Sequence, residues 1–128
     1  MIFGIGVDVV HIPRMDSITK RWGERFVRRV FTEEEIEYCR SQRNPSPHLS
    51  VRFAAKEAFL KALGLGYSQG IRWKDIEVTR HPSGRPVIRL RNHAKALCKR
   101  YGITRTHVSM SHDGTCGLAQ VVLEKESS

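Results

Sequence analysis

The sequence predicts an α+β fold in which an antiparallel sheet packs against a long central helix. Segments that alternate apolar with other residues, as half-buried strands do, lie near both ends of the chain, at residues 2–10, 106–112 and 116–124. The last two flank Asp113 and Gly114, a strong signal for a tight hairpin. Three stretches between residues 13 and 66 instead space their apolar residues as helices do. Grouped helices combined with hairpin-linked strands are typical of the α+β class.

Length and composition indicate one domain, residues 1–128, with an acidic partner. The chain has 128 residues, of which 40% are hydrophobic, enough for a core and too many for a disordered basic tail. Its formal net charge is +9 at pH 7. A charge of this sign favours binding to nucleic acid, a membrane surface, an acidic protein or a phosphorylated metabolite.

Cysteine usage and the N-terminal sequence predict a cytoplasmic protein. The three cysteines are widely spaced and form no C-x-x-C motif, so neither a disulfide framework nor a zinc site is expected. The opening MIFGIGVDVV lacks the basic segment and the cleavage pattern of a signal peptide. No apolar run approaches the ~20 residues that span a bilayer, so no membrane partner is expected.

The first predicted strand, residues 2–10, carries Gly4, Gly6 and Asp8 on one face. Glycines within a strand mark the close approach of another backbone or of a ligand. Here they leave space beside a single carboxylate. Asp8 can alternatively cap or turn the chain before Pro13. The opposite face is apolar and consists of Phe3, Ile5, Val7 and Val9.

Two helices are predicted before the central one. Residues 13–30 combine an apolar stripe with six cations, which form either an ordinary solvated face or a patch that docks an acidic surface. In residues 32–40, Thr32 and Glu35 have the spacing of a capping box. The predicted stripe of the first helix is Met15, Ile18, Trp22, Phe26 and Val30, and its cations are Arg14, Lys20, Arg21, Arg25, Arg28 and Arg29.

Residues 50–66 form the predicted helix around which the chain is organised. Alanines make a broad face and larger apolar residues flank it, so most of its surface should be buried in a core or a subunit interface. Its charges fall in two narrow lines, Arg52 with Lys56 and Glu57 with Lys61. Because buried charges need a partner or a ligand, we expect them to face a cleft, a subunit boundary or a bound molecule. Glu57 and Lys61 can alternatively form an ordinary i,i+4 surface pair.

The ends of this helix and the rest of the chain follow from local signals. Ser46 is expected to cap the helix and Pro47 to begin it, and Gly64 or Gly66 to supply a left-handed final residue. Two short strands, residues 76–80 and 87–90, flank a hairpin loop, and a helix capped by Asn92 covers residues 92–101.

Asp8 and Glu57 are the candidate metal ligands. Magnesium typically takes one or two protein carboxylates, several waters and phosphate oxygens. These two residues would supply such a site if the central helix crosses the glycine face of the first strand. Arg52, Lys56 and Lys61 would then surround the same phosphates and neutralise the charge that develops on a leaving group.

The sequence lacks the motifs that other common enzyme chemistries require. The sequence contains no P-loop, no dinucleotide fingerprint, no H-E-x-x-H and no nucleophile elbow. A basic nucleic-acid-binding module is the alternative function, supported by the charge and the arginine run, but no binding motif accompanies them. It leaves the paired carboxylates unexplained, so no nucleic-acid partner is expected.

Four stretches together resemble the holo-[acyl-carrier-protein] synthases, the small 4′-phosphopantetheinyl transferases. They are GIGVDVV at residues 4–10, RFAAKEAFLKALG at 52–64, SGRP at 83–86 and HVSMSHD at 107–113. Their order and spacing match over nearly the whole chain, and the aspartate followed by K-E-x-x-x-K is highly specific to that superfamily. The one mild departure is Met110, where the family usually has isoleucine or a similar residue.

The resemblance implies an activity and a set of roles. The family transfers the 4′-phosphopantetheine arm from coenzyme A to a serine of an apo acyl carrier protein, with Mg²⁺, and its members of this size are homotrimers with coenzyme A between subunits. Glu57 or a metal-organised water would take the serine proton, and His107 has no assigned kinetic role. The resemblance implies that Asp8 and Glu57 bind the metal and that Lys61 joins them as a catalytic residue. It implies that the carrier docks on Arg14 and Arg21. The residues implied to line the coenzyme A cleft are Arg52, Lys56, Gly64, Gly66, Arg85, Pro86, His107 and Ser109.

Overall fold

The computed structural model describes residues 1–64 and 70–126 and shows the predicted α+β architecture. Its strands form two antiparallel sheets, β1-β5-β4 and β2-β3, where the sequence had suggested one. A short 3-10 helix, Trp73–Asp75, precedes β2. The strands are β1 (Ile2–His11), β2 (Ile76–Arg80), β3 (Pro86–Leu90), β4 (Ile103–Asp113) and β5 (Cys116–Lys125), and the helices are α1 (Ile12–Val30), α2 (Glu33–Arg40), α3 (Pro45–Leu63) and α4 (Asn92–Arg100).

Helix α3 is the centre of the molecule. Twelve of its nineteen residues are buried, which accounts for its apolar character on nearly every side. Ala58 and Ala62 belong to the cluster that includes Val121 and Leu123 of the three-stranded sheet. Toward the other side, Leu49 joins a cluster formed with residues of α1 and α2.

The glycine face of β1 lies directly against α3. A Cβ atom built on Gly4 would lie 1.9 Å from the carbonyl oxygen of Ala62, and one on Gly6 would lie 1.9 Å from that of Ala58. Only glycine fits at either position, because backbone meets backbone there without intervening side chains. The condition stated for a metal site at Asp8 and Glu57, that the central helix crosses the glycine face, is therefore met.

The register of the larger sheet sorts its residues into inner and outer rows. Asp8 pairs with Ala119 of β5, which pairs in turn with Met110 of β4, and this row faces α3. The next row, Val7 with Gln120 and Ser109, points away from the helix. The predicted alternation of β4, with Met110 on one face and Ser109 on the other, is confirmed.

The outer face of this sheet carries exposed apolar side chains. Ile5, Val7 and Val9 of β1 are 56%, 50% and 60% exposed, and Leu118 of β5 is 41% exposed. Of the two places expected to bury the central helix, a core or a subunit interface, the structure shows the core. The helix is buried within its own chain, whereas the apolar face of β1 is the one left uncovered.

The helix ends follow local chemistry, with two differences from the expected caps. Helix α3 begins at Pro45, because Asn44 rather than Ser46 is the N-cap and its side chain accepts the Ser46 N–H. Gly64 ends the helix at φ 78°, as predicted, whereas Gly66 lies outside the described residues. Asn92 does not cap α4; its amide instead donates to Asp75 at 3.0 Å.

Helix α2 confirms the predicted capping box. The Thr32 hydroxyl accepts from the Glu35 N–H at 3.3 Å, and the Glu35 carboxylate accepts from the Thr32 N–H at 2.8 Å.

Among the described residues, none of the helices is both long and apolar enough to cross a membrane.

Helix α1 is interrupted, which changes its predicted stripe. Gly23 has φ 65° and ψ −150°, outside the helical region. Met15 and Val30 are buried as predicted, but Trp22, immediately before the break, is 61% exposed. The Arg21 guanidinium lies over its ring at 5.4 Å. The exposed surface of α1 therefore combines cations with a large aromatic side chain.

Candidate active site

Asp8 and Lys61 meet where β1 crosses α3. The Lys61 ammonium donates to Asp8 Oδ1 at 2.9 Å and to the Val7 carbonyl at 3.1 Å. The Asp8 side chain is only 12% exposed, while that of Lys61 is 56% exposed. Because the glycine contacts fix the strand against the helix, the carboxylate and the ammonium are held together by the backbone.

Glu57 lies one helical turn before Lys61 and adds negative charge beside it. The hydrogen bond to Asp8 raises the pKa of Lys61, partial desolvation opposes this, and the charges of Asp8 and Glu57 add to the increase. Lys61 therefore remains a cation throughout the physiological range. The Asp8 and Glu57 carboxylates thus both act on the Lys61 ammonium. Lys61 contacts the first strand as well as lying one turn from Glu57, so it is not simply half of an i,i+4 surface pair.

Glu57 also lines a cavity of about 470 Å³, here called the Glu57 cavity. Arg14 of α1 lines the same cavity, as do Val9 and Val10 at the end of β1. The structure thus places a predicted metal ligand and a predicted carrier-docking arginine around one opening. Arg21 is exposed farther along α1 and is not among the residues lining it.

Arg85, Pro86 and His107 line a second opening, the His107 cavity, of about 410 Å³. It lies between the β2-β3 hairpin and β4, which belong to separate sheets. His107 Nε2 lies 2.5 Å from a carboxylate oxygen of Glu124, and this contact lowers the pKa of Glu124. Ser109, two residues along β4, is exposed on the outer face of the sheet.

Lys56 does not line an open cleft, which corrects the sequence-based expectation. Its side chain is fully buried and its ammonium donates to Glu35 at 2.8 Å, to the Ile76 carbonyl at 2.7 Å and to the Trp73 carbonyl at 3.1 Å. Burial lowers the pKa of Lys56, and the Glu35 charge opposes that shift. Lys56 therefore ties α3 to α2 and β2. Sequence reasoning assigned Glu35 only its cap and missed this second role.

Arg52 is also buried, at 2% exposure, but it lines a third opening. This Arg52 cavity, of about 180 Å³, is shared with Arg80, with Pro86 and with two histidines, His48 and His112. The predicted association of Arg52 with the SGRP turn is therefore present within the chain. Arg80 and the histidines were not selected from the sequence. His48 and Arg80 lie just before the motifs that begin at Arg52 and Ser83, and His112 lies within HVSMSHD, but no local pattern distinguishes these three side chains.

The carboxylates of Asp8 and Glu57 suit a magnesium ion that takes most of its ligands from water and substrate rather than from the protein. Asp8 and Glu57 offer carboxylate oxygens, the hard donors that Mg²⁺ prefers. Within residues 1–64 and 70–126, no group of three or more His, Cys, Asp or Glu side chains could hold a metal by itself. A metal here would complete its shell with waters and substrate phosphate oxygens, as Mg²⁺ commonly does.

Comparison with known proteins agrees with this geometry. The family model of the 4′-phosphopantetheinyl transferase superfamily matches residues 4–117. The holo-[acyl-carrier-protein] synthase of Geobacter sulfurreducens is 46% identical over 125 residues, covering 98% of this chain and 99% of that protein. That of Geobacter sp. strain M21 is 44% identical, covering 98% of this chain and all of that protein.

Solved structures of the same class share the fold. The holo-[acyl-carrier-protein] synthase of Neisseria meningitidis has a TM-score of 0.91 at 35% identity, covering 98% of this chain and 100% of that chain. The Helicobacter pylori enzyme, solved in complex with coenzyme A, has a TM-score of 0.83 at 32% identity, covering 94% of this chain and 99% of that chain. The chain therefore belongs to the 4′-phosphopantetheinyl transferase superfamily, within its holo-[acyl-carrier-protein] synthases.

Proposed function

We propose that this chain transfers the 4′-phosphopantetheine arm of coenzyme A to a serine of an apo acyl carrier protein in a Mg²⁺-dependent reaction. The holo-carrier and adenosine 3′,5′-bisphosphate are the products. The observation that carries the proposal is the junction of Asp8, Glu57 and Lys61 in a chain of this superfamily. Transfer at phosphorus requires positioning and charge neutralisation more than covalent chemistry by the protein, and this junction offers both.

Each residue of the junction has a distinct task. Asp8 and Glu57 would hold the Mg²⁺, which when bound would neutralise the pyrophosphate of coenzyme A and polarise the phosphorus. Lys61, kept cationic by Asp8, donates a hydrogen bond or a proton to the leaving phosphate oxygen. The proton of the attacking serine passes to Glu57 or to a water beside it.

The carrier is expected to approach along α1. Arg14 lines the Glu57 cavity and Arg21 is exposed on the same helix, so an acidic helix docked there would bring its serine close to Glu57. The basic surface selects for acidic carriers in general, so carriers of fatty-acid and of polyketide synthesis are both candidates. Coenzyme A would use the His107 cavity, where Arg85 supplies a cation.

The outer face of the three-stranded sheet supports an assembly of subunits, and the resemblance implies that the assembly is a homotrimer. Exposed Ile5, Val7, Val9 and Leu118 form an apolar patch of the kind that marks a subunit interface. Because His107 and Ser109 lie on that same face, a neighbouring subunit seated there would bring its own residues to them. The Asp8 junction of one subunit and the His107 cavity of another would then form one cleft. Light scattering tests the assembly.

Mass spectrometry of the carrier tests the activity. The purified chain is incubated with coenzyme A, Mg²⁺ and an apo acyl carrier protein, and a chelator replaces Mg²⁺ in the parallel reaction. We expect the added mass of one phosphopantetheine only when the metal is present. An unchanged carrier mass with several apo carriers would contradict the proposal.

Glu57→Gln tests the metal ligand. The variant should lose Mg²⁺-dependent transfer while its circular dichroism and melting temperature stay near those of the parent, because Glu57 is half-buried at an open cavity. Glu34→Gln, which removes an exposed carboxylate of α2, is the matched control. Near-normal rates in Glu57→Gln would remove Glu57 from the site.

Arg14→Glu tests the docking surface. Carrier binding should weaken, while binding of coenzyme A is retained, because Arg14 lines the Glu57 cavity and not the His107 cavity. Arg100→Glu makes the same charge change on the exposed surface of α4 and should affect neither ligand. Equal losses for both ligands in Arg14→Glu would argue against a separate docking surface.

A further inference from the structure

Gly23 divides α1 into two halves that contact different neighbours. Its backbone, at φ 65° and ψ −150°, has a conformation that is available almost only to glycine. The later half is fastened to α2, where Arg28 pairs with Glu33 at 2.7 Å. Because the backbone leaves the helical conformation at the break, this contact does not fix the direction of the earlier half. That half, residues 12–22, is here called the docking segment, since it carries both arginines proposed to dock the carrier.

Asp16 links the docking segment to the start of α3. Its Oδ1 accepts a hydrogen bond from the Ser46 hydroxyl at 2.8 Å, although thirty positions separate the two residues in the chain. The residues just before Asp16, Arg14 and Met15, line the Glu57 cavity. Met15 is buried, but apolar contact is non-directional, whereas a hydrogen bond constrains angle as well as distance. The bond to Ser46 therefore sets how the docking segment lies at the cavity.

The charge of Asp16 is otherwise unfavourable on this surface. Asp16 is the only carboxylate in residues 12–22, which also contain three cations. A negative charge there repels an acidic carrier. The ion pair of Asp16 with Lys20, at 3.6 Å between solvent-accessible side chains, contributes little. The hydrogen bond from Ser46 is thus the contact that gives a carboxylate a use at this position.

We propose that Asp16 is a positioning residue for carrier recognition. Through Ser46 it holds the docking segment on α3, and Arg14 is thereby kept at the Glu57 cavity. The inference rests on the proposed function, since it concerns the surface that receives the carrier. Without the bond the segment can turn about Gly23, and only a fraction of the molecules then present Arg14 correctly. The apparent dissociation constant rises by the inverse of that fraction, and a hydrogen bond to a charged acceptor biases such an equilibrium about tenfold.

Binding of an apo acyl carrier protein to the purified full chain, without coenzyme A, tests this role apart from turnover. Fluorescence anisotropy of the labelled carrier gives the dissociation constant. Asp16→Ala should weaken binding about tenfold, although it removes a negative charge from a surface that receives an acidic protein. If Asp16 acted only through its charge, the same variant would bind the carrier more tightly than the parent. The two explanations therefore predict opposite signs.

Two further variants separate the hydrogen bond from the charge. Asp16→Asn keeps an oxygen that accepts from Ser46, so the affinity should stay within about threefold of that of the parent. Ser46→Ala removes the donor without changing any charge and places a strong helix former in α3, so it should fold normally and weaken binding as much as Asp16→Ala. The variant with both alanines should bind no more weakly than either single variant. Losses that add, or parent-like affinity in Asp16→Ala or Ser46→Ala, would overturn the proposal.

Steady-state transfer separates this inference from the activity itself. In Asp16→Ala and Ser46→Ala the KM for the carrier should rise about tenfold while the KM for coenzyme A is unchanged, because neither residue lines the His107 cavity. Glu37→Ala, which removes an exposed carboxylate of α2, is the matched control and should alter neither KM. An absence of transfer by the parent would contradict the proposed function. Transfer by the parent with an unchanged carrier KM in both variants would overturn the role of Asp16 and leave the function intact.

Discussion

Replacing Lys56 by methionine separates two interpretations of the central helix. The sequence suggested a cofactor-binding lysine, whereas the structure shows an enclosed ammonium with three acceptors between 2.7 and 3.1 Å. Methionine keeps the length of the side chain but removes all three donors. Within the part of the chain that the structure describes, the buried Glu35 carboxylate is then left with two backbone donors, Thr32 N–H and Val78 N–H. Breaking one side of a buried ion pair typically costs about 3–5 kcal/mol of the free energy of unfolding.

Urea denaturation at pH 7 measures this cost against a control on the same helix. Lys61→Met removes an exposed ammonium and should change the free energy of unfolding by less than about 1 kcal/mol while abolishing transfer. The double variant Lys56→Met with Glu35→Gln should lose less than the sum of the single changes, since no unpaired charge remains. If Lys56→Met unfolds like the parent and instead raises the KM for coenzyme A, the structural role assigned to Lys56 is wrong.

Three further predictions concern the strand, the outer face and the Arg52 cavity. Gly6→Ala would place its Cβ 1.9 Å from the Ala58 carbonyl oxygen, so α3 and β1 must move apart. We expect the free energy of unfolding to fall by about 1–3 kcal/mol and the transfer activity to be lost. A melting temperature and a transfer rate like those of the parent would refute the close contact. Val7→Glu should yield monomers by light scattering, and an unchanged mass would show that this face is not the interface. In the Arg52 cavity, burial lowers the pKa of His48, and the charge of Arg52 adds to the effect. A bound dianion should therefore raise the pKa of His48 in an NMR titration, and the affinity for adenosine 3′,5′-bisphosphate should increase as the pH falls through that pKa. An identical His48 titration with and without the bisphosphate would argue against an anion in this cavity.

The sequence was sufficient wherever the signal was local. Capping of α2 by Thr32, the left-handed Gly64 at the end of α3 and the turn at Gly114 each depend on a few neighbouring residues, and the structure shows all three. The glycines of β1 were also informative, because the lack of a side chain in a strand has few explanations. The fold class followed from these local signals taken together.

Long-range partners were beyond the reach of the sequence. Lys56 was placed with the cofactor because its partner, Glu35, lies twenty-one residues away in the chain and already had a role as a cap. The exposure of the apolar side of β1 was not expected either; it follows from the backbone contact at Gly6, which turns the glycine side inward. The start of α3 was misplaced because Asn44 followed by Pro45 and Ser46 followed by Pro47 both suit an N-cap and a first helical residue, and only the geometry of Asn44 decides between them.

The pairing of the first strand with the last has a consequence for synthesis on the ribosome. Asp8 belongs to β1, whose only strand partner among the described residues is β5, and within that pair Asp8 lies opposite Ala119. A nascent chain that has emerged as far as α3 already contains Asp8, Glu57 and Lys61, yet β1 then has only the helix beside it and lacks the strand that pairs with it. Contacts of such sequence separation form late. The junction of Asp8, Glu57 and Lys61 is therefore expected to take its final form only after β5 has emerged, so that a product truncated before β5 would keep all three side chains and lack the strand pairing that fixes Asp8.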